Sequence, residues 1–70
     1  MKITAFLRKL MLRESQLSKL TEFHKFAPNC IECIGWLGHS VYIVRLWENY
    51  DTYSLEMFPL LHTIKISKKP

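Results

Sequence analysis

Glycine is scarce in this chain, with two in 70 residues, and so are proline, with three, and cysteine, with two. So few turn formers exclude a loop-rich scaffold, and two cysteines are too few for the disulfide framework of a small secreted domain. Long apolar runs are also missing. The most apolar opening stretch, residues 3–12, is interrupted by Arg8-Lys9 and lacks a small-residue cleavage site, so neither a signal peptide nor a membrane span is expected. A cytoplasmic location follows as the default expectation. Helix-turn-helix, zinc-finger and RNP-type signatures do not occur, nor do internal repeats or low-complexity tracts.

Acidic residues are the minority charge, six against ten Lys and Arg, for a formal net charge of +4. The imbalance is local. Residues 1–27 hold six Lys or Arg against two Glu, whereas residues 28–70 hold four of each sign. What is abundant is apolar surface, 49% hydrophobic and 13% aromatic residues, too much to stay disordered. At this length the chain is expected to be one small domain over residues 1–70, close to the size at which a single core leaves little net stability.

The spacing of apolar residues changes at Ala27-Pro28-Asn29. Before it, residues 4–26 contain no Gly or Pro and are rich in Leu, Lys, Arg, Met, Glu and Gln, which predicts one long amphipathic helix. Ile3, Phe6, Leu7, Leu10 and Leu17 share its apolar face at 100° per residue, with Leu20, His24 and Ala27 continuing it after some rotation. The alternative is two shorter helices, with Ser15 capping the second, because the stripe drifts between Leu17 and Phe23. Pro28 disfavours helical geometry at Ala27 and ends the helix in either case.

After the switch, β-branched and aromatic residues alternate, predicting strands at residues 30–36, 41–47, 53–58 and 60–67, with turns at 37–40 and 49–52. Pro59 marks a strand break or an edge bulge. The expected fold is therefore α+β, a long N-terminal helix on a three- or four-stranded antiparallel sheet spanning about residues 30–67.

Period-two alternation assigns the faces. Ile31, Cys33, Tyr42, Val44, Leu46, Tyr53, Leu55 and Met57 form one face, joined by Leu61 or by Ile64 and Ile66 depending on register, and are expected beneath the helix. The other face carries Ile34, Trp36, Val41, Ile43, Trp47 and Phe58, with Glu32 and Arg45 placed to pair across adjacent strands. That is too much apolar surface for water, and one helix cannot cover both faces. A copy of the chain, another protein, or an unforeseen part of the same chain must cover it. A bulge that turns the Trp residues into the core is the plain alternative.

Three other constellations bear on function. Cys30-Ile31-Glu32-Cys33 has CxxC spacing and, with His39, His62 or His24, invites a zinc reading. Residues three apart on a strand, however, lie about 10 Å apart with side chains on opposite faces, so reduced structural cysteines and no metal or cofactor are expected. His24, His39 and His62 form no triad by spacing, and catalysis is not expected. Lys2, Arg8, Lys9 and Arg13 on the basic helix have the electrostatic character of a phosphate-binding surface, although such charge is more often a solvated face.

These readings combine into a non-catalytic protein-interaction module, a homodimer or a small regulator or inhibitor docking on a larger protein. Its anchors would be Ile34, Trp36, Val41, Ile43 and Trp47, with Arg45 for orientation, since aromatics and Arg dominate interface hot spots. Nucleic-acid binding through the basic helix is the alternative.

Overall fold

A computed structural model describes residues 2–69, with side chains from Ala5 onward. Over these residues the chain forms α1 (Lys2–Ser15) and then strands β1 (Lys19–Leu20), β2 (His24–Ala27), β3 (Cys30–Leu37), β4 (Ser40–Glu48), β5 (Thr52–Phe58) and β6 (His62–Ser67). The class is α+β, but the helix is short and the sheet has six strands, more than the sequence suggested.

The helix ends at Ser15, not near residue 26, for a local reason. Ser15 Oγ donates to Met11 O at 2.6 Å and accepts from Leu17 N at 3.2 Å. Gln16 then adopts the left-handed conformation, φ 64°, while its N–H still reaches Leu12 O at 3.0 Å. This is the αL stop usually made by Gly or Asn. Beyond it the backbone pairs with β3: Ser18 N donates to Trp36 O and Thr21 N to Ile34 O, both at 2.8 Å. Two hydroxyls add to the seam, Ser18 Oγ donating to Trp36 O and Thr21 Oγ1 accepting from Ile34 N. Helix propensity differs between ordinary residues by only a few tenths of a kcal/mol, so satisfying an edge of β3 outweighs it.

β1 and β2 lie end to end along one side of β3, and the rest of the sheet runs β3-β4-β5-β6, antiparallel throughout. Ala27 pairs with Cys30, so Pro28-Asn29 is a two-residue hairpin turn and not the end of a helix. The next hairpin, with Leu37 opposite Ser40, turns on Gly38 at φ 62°, a conformation open to Gly at no steric cost. Phe58-Pro59 is a cis bond and closes β5, after which Leu61 at φ 53° leads into β6.

The helix covers one sheet face through Leu7, Leu10 and Met11, spaced i, i+3, i+4. Met11, Leu10, Leu17, Leu20, Cys33, Val44, Leu46, Leu55, Met57 and Ile66 form the core, with Ile31, Tyr42, Tyr53 and Ile64 half-buried around it. Leu17 and Leu20 thus join the core from the segment after the helix. Phe6, expected on the buried stripe, is 57% exposed; the side chain of Ile3 lies outside the described residues. Among the described residues no helix is long and apolar enough to cross a membrane.

Candidate functional site

Register places the anticipated second face residue by residue. Trp36 lies opposite Val41, Ile34 opposite Ile43 and then Phe58, and Glu32 opposite Arg45 and then Glu56. Ile34, Trp36, Val41, Ile43, Arg45 and Trp47 therefore share the face away from the helix. They divide into two regions of different chemistry.

The lower region is a closed polar and aromatic network. Arg45 Nε donates to Glu32 Oε2 at 2.8 Å, and Nε2 of His24 donates to Glu32 Oε1 at 2.8 Å. The Arg45 guanidinium stacks 3.9 Å from the Phe26 ring centroid and 5.0 Å from that of Phe58. Trp47 meets Phe26 edge to face at 6.1 Å and donates its indole N–H to Glu56 at 2.6 Å. The Arg45 hydrogen bond, reinforced by His24, holds the Glu32 carboxyl below the usual range. Phe26, itself 45% exposed, is the unforeseen cover of the groups beneath it. Delivered by β2, which periodicity had assigned to the helix, it shields Trp47 and Arg45; its β-propensity and the nearby Pro28 turn were the available signals.

The upper region has no such cover. Ile34, Val41 and Ile43 are 42%, 53% and 45% exposed, and Trp36 and Phe58 are half-buried. Together with Tyr42 and Pro59, Ile34, Val41, Ile43 and Phe58 line a shallow groove of about 300 Å³. Exposed Leu37, Leu60 and Leu61 lie at the hairpin turns on the same end of the sheet. Lys19 Nζ sits 5.1 Å from the Trp36 ring centroid at the β1 rim.

The other candidates separate. Arg8 donates to Leu20 O and Thr21 O, both at 3.0 Å, and stacks 4.8 Å from Phe23. It ties α1 to the β1 edge. Lys9 and Arg13 are exposed, Arg13 pairing with neighbouring Glu14 at 3.1 Å, and the Lys2 side chain lies outside the described residues. Cys30 and Cys33 are buried and unpaired with each other, and they occupy opposite faces of β3, as strand geometry requires. Burial raises both thiols, Cys33 to about 11. His39 is exposed in the β3-β4 turn. Among the described residues no three His, Cys, Asp or Glu side chains converge on a metal-sized site.

A second cavity, about 210 Å³, opens between Leu7 of α1 and Ile31, Leu46 and Tyr53 of the sheet, with Lys25 and Glu48 at its rim. Ile3 stands one turn before Leu7 on the same helix face, and its side chain is outside the described residues, so the cavity is assigned no ligand. Comparison with known proteins finds no matching protein family, no matching curated protein and no matching solved structure.

Proposed function

We propose that this chain is a non-catalytic protein-interaction module that docks through the upper region of its second sheet face, with Ile34, Trp36, Val41 and Ile43 as anchors and Phe58 completing the patch. One observation carries the reading: Ile34 of β3 and Val41 and Ile43 of β4 stay open to solvent on adjacent rungs, with half-buried Trp36 and Phe58 beside them, while the polar groups of the lower half are paired within the chain. Contiguous patches of this kind mark interaction sites more often than scattered apolar residues do. Trp36 and Phe58 are already half-buried, so docking would remove from water only the remaining minority of the about 150–250 Å² an aromatic side chain can bury, and most of the gain, at about 25 cal/mol per Å², would come from Ile34, Val41 and Ile43. Arg45 and Trp47 support the patch from below instead of meeting the partner, because their polar groups already have acceptors in the chain.

The proposal gives the thiols no nucleophilic role. A nucleophilic cysteine needs thiolate, and burial pushes both cysteines the other way. The nucleic-acid alternative keeps Lys9 and Arg13 as exposed cations, but Arg8 spends its guanidinium on backbone carbonyls. A photo-crosslinking residue at position 43 is expected to give a discrete protein adduct in the native host, and one at position 9 is not. Adducts from position 9 alone, or none from either, would overturn the docking face.

A further inference from the structure

The end of the sheet at which β3 turns into β4 and β5 into β6 is apolar at its outermost points. Leu37, Leu60 and Leu61 stand there 50%, 55% and 82% exposed, on tips, residues 37–40 and 59–62, that contain no Asp or Glu. Packing does not account for them, since none of the three joins the core or the half-buried ring around it. Backbone geometry does not account for Leu61 either: it holds φ 53°, a conformation that Gly or Asn adopts at less cost. We propose that this end is a membrane-contact surface, its three leucines entering the headgroup boundary of an anionic bilayer with the strands upright. This goes beyond the docking role proposed above and does not depend on it, because from Ile34 and Ile43 inward the second sheet face stays open to a protein partner.

The order of chemistry along the strands matches a lipid boundary. One rung in from the tips Trp36 lies opposite Val41 and Lys19, with Lys19 Nζ 5.1 Å from the Trp36 ring centroid. Trp and Lys are side chains that settle at headgroup level, the indole in the boundary and the ammonium reaching towards phosphate. The Ile34-Ile43-Phe58 rung follows, and then Glu32, Arg45 and Glu56. At about 3.4 Å per residue this charged rung lies roughly 14 Å inward of Trp36, deeper than the 5–10 Å that an interfacial element buries, so it stays in water. Charge is distributed to suit an anionic surface. Lys19 is exposed and makes no ion pair among the described residues, Arg13 and Glu14 in the last turn of α1 offset each other at 3.1 Å, and Glu48 and Asp51 sit at the β4-β5 turn, at the opposite end of the sheet. Two projecting tips require a matching hollow in a rigid protein partner. A fluid bilayer needs none.

Co-sedimentation of the full chain with phosphatidylcholine vesicles containing about 30% phosphatidylserine tests the contact. Binding is expected, and it should weaken with phosphatidylcholine alone and in Lys19→Gln. Leu60→Asn combined with Leu61→Asn should lower the partition coefficient about tenfold or more without lowering the urea midpoint, since neither side chain supports the core. Phe6→Asn, at an exposed apolar residue in the first half of α1, should leave binding unchanged. A second readout keeps the Leu60-Leu61 tip intact: an environment-sensitive fluorophore on Leu37→Cys should shift to the blue on vesicles, and one on Tyr50→Cys, exposed at the opposite end, should not, the two native thiols being buried. A wild type that does not bind, binding indifferent to the paired Asn substitutions, or equal shifts at positions 37 and 50 would overturn the inference. These assays contain no host protein, so such a failure leaves the docking role standing, and absence of a protein adduct at position 43 leaves the membrane contact standing.

Discussion

At the scale of single residues, Gly35 and Glu32 do the most with the least. Gly35 sits on the core face of β3 where a Cβ would lie 2.7 Å from Leu17 Cδ1 and 3.1 Å from both Leu20 Cδ2 and Val44 Cγ2. Those neighbours are themselves buried, so they cannot swing away without disturbing the core. Gly35→Ala is expected to destabilise the protein by about 1–3 kcal/mol through overpacking, measured as a lower urea midpoint with an unchanged slope. Glu32 predicts a pH effect. Its folded-state pKa lies below the ordinary 4.5 because Arg45 and then His24 hydrogen-bond its carboxylate. A depressed carboxyl stabilises the fold above its unfolded value and loses that contribution as pH falls through the folded one. Thermal melts should therefore decline below about pH 4.5 in the wild type and decline less steeply in Glu32→Gln, which should also be less stable at neutral pH. Equal acid slopes for the two proteins would exclude this role.

At the scale of elements, the segment between the helix and β3 is where sequence and structure diverge. Leu17, Leu20 and Phe23 recur at intervals of three, and nothing in their identity distinguishes a helical stripe from an irregular edge strand. The deciding features are conformational: Gln16 accepts a left-handed φ that its side chain does not favour, and Ser15, Ser18 and Thr21 use hydroxyls to complete a backbone seam. Hydroxyls at three-residue intervals were the visible hint; Ser15 ends the helix and caps no second one, since strands follow it. By contrast, the β3-β4 and β4-β5 pairs, the core face and the Glu32-Arg45 pair were legible, because strand alternation has a strict period of two and Gly38 fixes the register. The exposed half of the candidate site was legible for the same reason. Its covered half was not, since Phe26 reaches it from an element that periodicity hid. Arg8 belongs to this scale as the tie between α1 and that edge. Arg8→Lys is expected to cost about 1–3 kcal/mol, since an ammonium cannot reproduce the planar two-donor contact to Leu20 O and Thr21 O. Amide exchange should rise first in β1 and at Thr21, and uniform exchange across the sheet would argue against a local tie.

At the scale of the whole molecule, chemistry is sorted by layer. Arg8, Lys9 and Arg13 lie on the helix, aliphatic side chains fill the middle, and the far face holds a paired polar network below an open apolar patch with Lys19 over Trp36 at its rim. The strand order has a consequence of another kind. Every strand pairs with one that is close to it along the chain, and no crossover is needed. Forming each strand pair therefore closes only a short or moderate loop. The β3-β4 hairpin, with its two-residue turn and its rungs matched from Cys30-Trp47 to Leu37-Ser40, closes one of the shortest. β5 and β6 can add on one side and the β2 and β1 edge on the other, and α1 can dock only once there is a sheet to receive it. During synthesis the helix emerges first, yet it has to wait for the strands that follow before it can bury Met11.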